Sequence, residues 1–424
     1  MTIALQPATD FSYARVGTIA SVVFFTICAG TYVVNAADRV IFPVLLRSIN
    51  LEYHFTLAQG GLLATIFLLG LGISGIGTGY LVDRLSRKSS MIIGIVTYSI
   101  FTLLTAFALG FFDMAVYRTL SGVGEGMQNV ALATAVGAYY PDTRTLALGL
   151  MQCAFGLGSF LGPRTGAWLM ASTGDWRMPF YLFGVIGLVG AIAILFVKKG
   201  FTEQRAQGSG AGGKAASDDH MPERLWNRNV WCIVLVGIFR SFPFYAFLGL
   251  YTTFLTSEFH YPLAAAAAAL SMFGLGPFFS PLAGYIGDRV NQKLFQIVSL
   301  ATMAVIGYII FNIAKTAPEH NILSLLEGLA GGFVYVNGYS LAQRSVRGSM
   351  VGRVSGFYYA STTLPAAVSG YVLAKLVNDF GWSHGATIVM CFLLVVPIVI
   401  SLFIDTRLIT GPGRRLSPGR RLWT

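Results

Sequence analysis

The sequence predicts an all-α integral membrane protein of twelve transmembrane helices in two pseudo-symmetric six-helix bundles. Three observations lead there. Hydrophobic residues make up 55% of the 424 residues and charged residues only 11%, giving a mean hydropathy of +0.67. Apolar runs recur at the length of about 20 residues that a helix needs to cross a bilayer, and the 49 glycines fit membrane helices better than soluble ones. A short motif also recurs at an offset of 205 residues, as expected of duplicated halves.

In order, the apolar blocks fall near 18–46, 57–82, 89–110, 113–139, 144–171 and 178–198, then near 229–257, 263–288, 293–314, 322–344, 351–377 and 383–405. The segment before the first block lacks the basic, apolar and small-residue pattern of a cleaved leader, so the first span is expected to remain in the mature chain. Between the sixth and seventh blocks the run GSGAGGKAAS reads as a flexible linker. The expected division is an N-terminal bundle 1–198, a cytoplasmic linker 199–228, a C-terminal bundle 229–406 and a basic tail 407–424.

Charge orients the helices, because lysine and arginine in short loops concentrate on the cytoplasmic side. With both termini inside, 21 of the 29 basic residues are internal and four are external, namely Arg47, Arg177, Lys315 and Lys375. This asymmetry accounts for the net charge of +11 without a nucleic-acid partner. The tail reads as a contact for anionic lipid or a disordered end. The expected location is a cell membrane, crossed many times, as in a bacterial inner membrane.

The remaining polar chemistry excludes several classes. Cys28, Cys153, Cys232 and Cys391 sit in apolar segments at unrelated spacings, which suits packing better than disulfides or zinc. His54, His260, His320 and His384 fall in short loops and are expected to be solvated, so no metal site is expected. Gly122, Gly124 and Gly126 alternate without a strand and helix around them, which rules out nucleotide binding. No nucleophile and base pair indicates an enzyme, and no large soluble domain indicates a receptor.

Four arginines, Arg39, Arg118, Arg164 and Arg240, lie inside spans, together with Asp38 and Glu125. A charge alone at a bilayer centre costs at least ~2.5–3.5 kcal/mol, so such residues face partners, cavities or pathways. At ~1.5 Å per residue, Asp38 lies about 13 Å inside Arg47, while Arg118 and Glu125 lie roughly 8 and 18 Å inside Asp113. Asp38 and Arg118 therefore share a depth, and one carboxylate is set against two guanidinium groups. Glu125 lacks an obvious partner on its own helix, which suits an acid that takes up and releases a proton. A helix-locking ion pair without any ligand is the competing reading.

The repeated motif reads Gly79, Asp83, Arg84, Arg87, Lys88 in the first half, and Gly284, Tyr285, Asp288, Arg289 and Lys293 repeat Gly79, Tyr80, Asp83, Arg84 and Lys88 in the second. The first copy resembles the G-x-x-x-D-R-x-x-R-K signature of the major facilitator superfamily, with Ser86 where Gly is common. Arg118 to Gly126 resembles its R-x-x-x-G-x-G-E element. Gly149, Gly158, Gly162, Pro163 and Gly166 resemble the Gly-Pro motif of the fifth span, with Arg164 and Ala167 departing from it. Asp38 and Arg39 with Arg118 and Glu125 further resemble the anion:cation symporters, and secondarily the spinster-type lipid transporters.

That resemblance implies alternating access by two rocking halves and proton-coupled symport of a small organic anion, such as a carboxylate or sugar acid. Asp38 and Glu125 would carry protons. Arg39, Arg118 and Arg240 would meet the anion, with Tyr32, Asn35, Gln152, Tyr335, Asn337 and Ser361 as hydrogen-bonding neighbours, and the loop from Gly79 to Lys88 would help latch one state. No cofactor is implied, the proton being the coupling ion, and the partners are the anion, protons and membrane lipids, with the chain acting as a monomer. The Gly-Pro motif keeps a proton-driven exporter of drugs or amphipathic lipids as the alternative.

Overall fold

The computed structural model describes residues 18–84, 86–139, 144–202, 224–287, 290–346, 351–406 and 409. The described chain is helical throughout its spans. The first runs Thr18–Tyr53, the second Leu57–Thr65 and Phe67–Arg84, the third Arg87–Thr105, the fourth Phe111–Tyr139, the fifth Arg144–Thr173 and the sixth Met178–Phe196. The seventh is Arg228–Glu258, the ninth Gln292–Asn312 and the tenth Ala317–Arg344. Proline interrupts the other long spans, because it removes a backbone donor and crowds the preceding turn. The eighth passes from Leu263–Gly274 through a 3-10 turn at Gly276–Phe279 into Ser280–Gly287. The eleventh passes from Val351–Thr363 through a 3-10 turn at Pro365–Val368 into Ser369–Thr387. That last run breaks at Gly381, whose φ of 79° suits glycine, and the twelfth span continues through Ile388–Phe392 to Leu393–Leu402.

Two glycine patterns decide how the first bundle closes. Gly122 and Gly126 place the fourth span against the second, where an added Cβ would meet Phe67 O and Ser74 Oγ, while Gly124 places it against Tyr98 N and Gly94 O of the third. Gly158 and Gly162 bring the fifth span onto the carbonyls of Val33 and Ala37 in the first. Small residues permit this close approach where lipid offers no hydrophobic driving force between helices. Large side chains such as Val22, Ile93, Phe196 and Phe392 are exposed on the outer surface, as expected of lipid-facing positions.

The connections cluster at two ends. At one, which carries His54 and Arg177, Arg177 binds Glu52, and Tyr261 donates to Lys315 O at 2.7 Å. At the other, Lys88 Nζ donates to Leu195 O and Val197 O at 2.7 and 2.6 Å, and Lys293 Nζ donates to Leu402 O and Ile404 O at 2.5 and 3.1 Å. Thus the repeated motif lysine caps the sixth span in one half and the twelfth in the other. The halves meet where the second span packs on the eleventh, the fifth on the eighth and the first on the seventh. Near the His54 end this contact is tight. Thr65 Oγ1 donates to Ala367 O at 2.8 Å, Thr252 Oγ1 donates to Pro43 O at 2.6 Å, and Gly61 abuts Gly370 backbone to backbone.

Of the expected linker, Lys199–Thr202 forms one helical turn, and 203–223 lie outside the described residues, as does the tail apart from residue 409.

Candidate functional site

Adjacent helical residues diverge by about 100°, so Asp38 and Arg39 cannot serve one neighbour. Arg39 turns toward the fourth span, where its Nε donates to Glu125 Oε2 at 2.8 Å, with both side chains buried. Its Nη2 donates to Asn35 Oδ1 at 3.0 Å, and Asn35 Nδ2 donates to Gln128 Oε1 at 2.9 Å. Ser121 Oγ reaches the second Glu125 oxygen at 3.4 Å. The guanidinium carbon lies 5.3 Å from the Phe155 ring centroid. Glu125 thus pairs with Arg39 across the bundle and not with Arg118 of its own helix.

Asp38 turns the other way. Thr102 Oγ1 donates to Asp38 Oδ2 at 2.8 Å, while Asp38 Oδ1 has no hydrogen-bond partner. Arg118, fully buried, has none for any of its three guanidinium nitrogens and stacks between Phe42 and Phe67, 4.9 and 5.2 Å from their centroids. Asp38 and Arg118 interact electrostatically without forming a contact pair. Arg118, expected to meet the anion, is thus enclosed within the first bundle by rings of the first and second spans.

In the second half, Arg240 Nη1 donates to Gly331 O at 3.2 Å and the guanidinium lies over Phe244 and Tyr335, at 5.3 and 5.5 Å. Tyr245, on the next position of the same turn as Phe244, lies within the field of both Arg39 and Arg240. Arg39 also feels Tyr32 of its own helix and Tyr359 of the eleventh span. Two guanidinium groups, one from each half, thus flank an aromatic group contributed by Tyr32, Phe155, Tyr245, Tyr335 and Tyr359. Tyr32 and Phe155 pack with centroids 5.7 Å apart.

The other expected residues fall in several places. Gln152 is half-buried on the fifth span, three residues before Phe155. Ser361 is half-buried and donates to Tyr358 O at 2.7 Å. Asn337 faces the ninth span instead of the arginines, donating to Gln292 O and Gln296 Oε1 at 2.9 and 2.7 Å. Arg164 stacks on Phe160, 4.0 Å from its centroid, one turn away on its own helix. In the motif loop, Arg87 Nη1 donates to Thr202 O at 3.4 Å and Lys88 Nζ to Leu195 O and Val197 O. The side chains of Asp83 and Arg84 and the surroundings of Gly79 lie outside the described residues.

His320 is a further correction. It is fully buried in the first turn of the tenth span, with Nδ1 3.0 Å from Tyr251 Oη, whereas His54, His260 and His384 are exposed. The tenth span begins at Ala317, five residues earlier than its apolar pattern indicates, which carries His320 into the bundle. Sequence reasoning also missed Glu327, fully buried on that span. Its signal was available, since an acid within an apolar run marks function by default.

Glu125 is the only carboxylate that holds Arg39 among the described residues, and its protonation would weaken that hold.

Set against known proteins, the chain matches the Major Facilitator Superfamily over residues 27–370 and 234–421. It is 24% identical to the cis,cis-muconate transport protein of Acinetobacter baylyi, over 93% of this chain and 97% of that one. It is also 24% identical to the hexuronate transporter of Bacillus subtilis, over 86% and 89%. Identity is 30% with protein spinster homolog 1 of Xenopus tropicalis, over 45% of this chain and 36% of that one. Among solved structures, a bacterial homolog of the human lysosomal transporter Spinster, inward-facing and occupied, superposes with a TM-score of 0.75 at 15% identity, covering 94% of this chain and 100% of that chain.

Proposed function

The chain belongs to the major facilitator superfamily, and from that premise we propose that it is a proton-coupled symporter of a small organic anion carrying a carboxylate. It works in a cell membrane of the bacterial inner-membrane type, with both termini cytoplasmic, so the His54 end faces outward. The observation that carries the reading is the buried Arg39 and Glu125 pair beside the aromatic group between the halves. Glu125 occupies the position that the anion needs. Protonation neutralises Glu125 and releases Arg39 to a substrate carboxylate, so the proton and the anion enter together.

Arg240 supplies a second cation from the opposite half, held by Gly331 O and two ring faces and so free of a competing carboxylate. An anion bound to Arg39 can draw the halves together through it. Asp38 is the second proton carrier, and its bare Oδ1 and its interaction with Arg118 couple the first, third and fourth spans. The names of the muconate and hexuronate relatives favour this reading over a lipid exporter.

Ligand-induced thermal stabilisation of the purified protein tests the substrate class. A ligand that binds only the folded state at 100 times its Kd adds about 2.7 kcal/mol of stability. Muconate-like dicarboxylates and sugar acids should stabilise the wild type and not Arg39→Ala. Stabilisation by amphipathic lipids or cationic drugs alone would move the assignment to an exporter.

A further inference from the structure

The tenth span carries a polar file that the scheme above does not use. His320, Ser324 and Glu327 recur at intervals of four and three residues, which places them on one helix face. Tyr251 of the seventh span joins the first two, because its hydroxyl lies 3.0 Å from His320 Nδ1 and accepts from Ser324 Oγ at 2.9 Å. His320 Nε2 is buried without a partner, and so are both carboxyl oxygens of Glu327. Glu327 itself is fully buried, next to Gly328, which abuts the eighth span at Phe273 and Gly276.

Placing an ionised carboxylate in such a site, with neither a donor nor a cation, costs several kcal/mol. The titratable groups that face it from neighbouring elements are Tyr251 of the seventh span and Cys391 beside the twelfth. Along its own helix stand His320 at the outer end and, one turn inward, Gly331, whose carbonyl holds Arg240. None of these is a cation in contact with Glu327.

We propose that Glu327 is a third proton-binding site, in the second half, loaded from the His54 end through His320, Tyr251 and Ser324. His320 takes a proton at its unpartnered Nε2 and gives one up from Nδ1 to the Tyr251 hydroxyl. Once the Tyr251 and Ser324 hydroxyls have turned from the direction seen here, in which Ser324 donates to Tyr251, the Tyr251 hydroxyl passes its own proton to Ser324, and Ser324 passes one to Glu327, whose side chain must swing toward Ser324 on the same face to accept it. Each hydroxyl keeps one proton with its hydrogen bond reversed and His320 ends as the other neutral tautomer, so one proton moves and rotation of these groups resets the file. The helix rise puts His320 and Glu327 about 10 Å apart, with Gly331, whose carbonyl holds Arg240, about 6 Å further along. Glu327 thereby links proton entry to the tenth span, whose carbonyl positions Arg240. The proposal rests on the proton-coupled reading above, but its test reads Glu327 itself, with the Asp38 and Glu125 variants serving only as controls.

Infrared spectroscopy of the purified protein in lipid nanodiscs reads the site without any substrate. The wild type should show the carbonyl stretch of a neutral, weakly hydrogen-bonded carboxylic acid that Glu327→Gln lacks and that Asp38→Asn and Glu125→Gln retain. On transfer to deuterium oxide this band should shift down, and Tyr251→Phe should slow the shift at least several-fold. Should Glu327→Gln not fold, Glu327→Asp keeps the acid and should move the band instead of removing it. A spectrum unchanged by the substitution at Glu327 overturns the proposal, and so does a band that never exchanges. Exchange at the wild-type rate in Tyr251→Phe overturns the route. Loss of coupling in Glu125→Gln with the Glu327 band intact separates the two sites.

Discussion

Substituting Gly370 tests whether the contact between the second and eleventh spans is a gate. A Cβ at Gly370 would stand 2.0 Å from Gly61 O, about 1.4 Å short of the 3.4 Å at which ordinary contact begins. The neighbouring Thr65 Oγ1, which accepts from Gly370 N at 3.3 Å and donates to Ala367 O, fixes this register. Overpacking of this kind costs typically ~1–3 kcal/mol. The strain exists only while the two backbones touch, so it acts wholly on the balance between states. At ~1.4 kcal/mol per tenfold, Gly370→Ala should shift that balance about 5- to 150-fold toward the state open at the His54 end. Spin labels at Thr56 and Lys375, both exposed on that end, in a background without the four native cysteines, report the separation. The expected result is a longer, broader distance distribution in Gly370→Ala. A distribution identical to that of the parent protein, with the fold intact, would refute the gate.

Removing one member of the Arg39 and Glu125 pair leaves an uncompensated buried charge. Arg39→Ala should therefore lower unfolding stability by ~3–5 kcal/mol, and Arg39→Ala with Glu125→Gln should recover part of it in a double-mutant cycle. Additive losses would show that the two do not act as a pair. Lys88→Met and Lys293→Met should each cost about 1 kcal/mol, given their partial exposure, and hydrogen exchange should quicken at Leu195 to Val197 and Leu402 to Ile404 respectively. At the exposed end of the first helix, past the apolar block 18–46, hydrogen bonds from Arg177 and Trp176 hold the Glu52 carboxyl below the usual glutamate range. That pair therefore stabilises above the unfolded value of about 4.3 and its contribution is lost as pH falls through the lower folded value. Because the pair is largely solvated, its worth is below ~1 kcal/mol, and Glu52→Gln should abolish only this part of the acid sensitivity in pH-dependent melting.

Composition and apolar run length were enough to place the spans, because a bilayer imposes one length on every crossing. Eight described runs are long and apolar enough to cross, and one of them, Val354–Leu402, spans both the eleventh and twelfth helices folded at Gly381. The fourth, fifth and tenth helices fall outside that set. These are the helices that carry Arg118 and Glu125, Arg164, and Glu327, charged residues that lower the hydropathy of their spans.

Within the site, depth along a helix could be read from residue rise, but azimuth could not. Depth put Asp38 near Arg118, and the two interact electrostatically, yet pairing depends on which face each residue presents, and Asp38 and Arg39 diverge by one residue's rotation. Arg118 illustrates the same limit, since nothing in its spacing foretells that Phe42 and Phe67 enclose it. His320 was assigned to a loop because hydropathy marks where apolar character begins, whereas the helix starts at the Thr316 and Glu319 capping box.

The central claim is that Glu125 exchanges a proton for its hold on Arg39. Proteoliposomes with an imposed proton gradient test it most directly, using a radiolabelled carboxylate that stabilises the purified protein. The account predicts that the wild type accumulates the anion above its equilibrium level, and that Glu125→Gln loses this accumulation while still exchanging internal for external anion. Gradient-driven accumulation by Glu125→Gln at the wild-type level would contradict it.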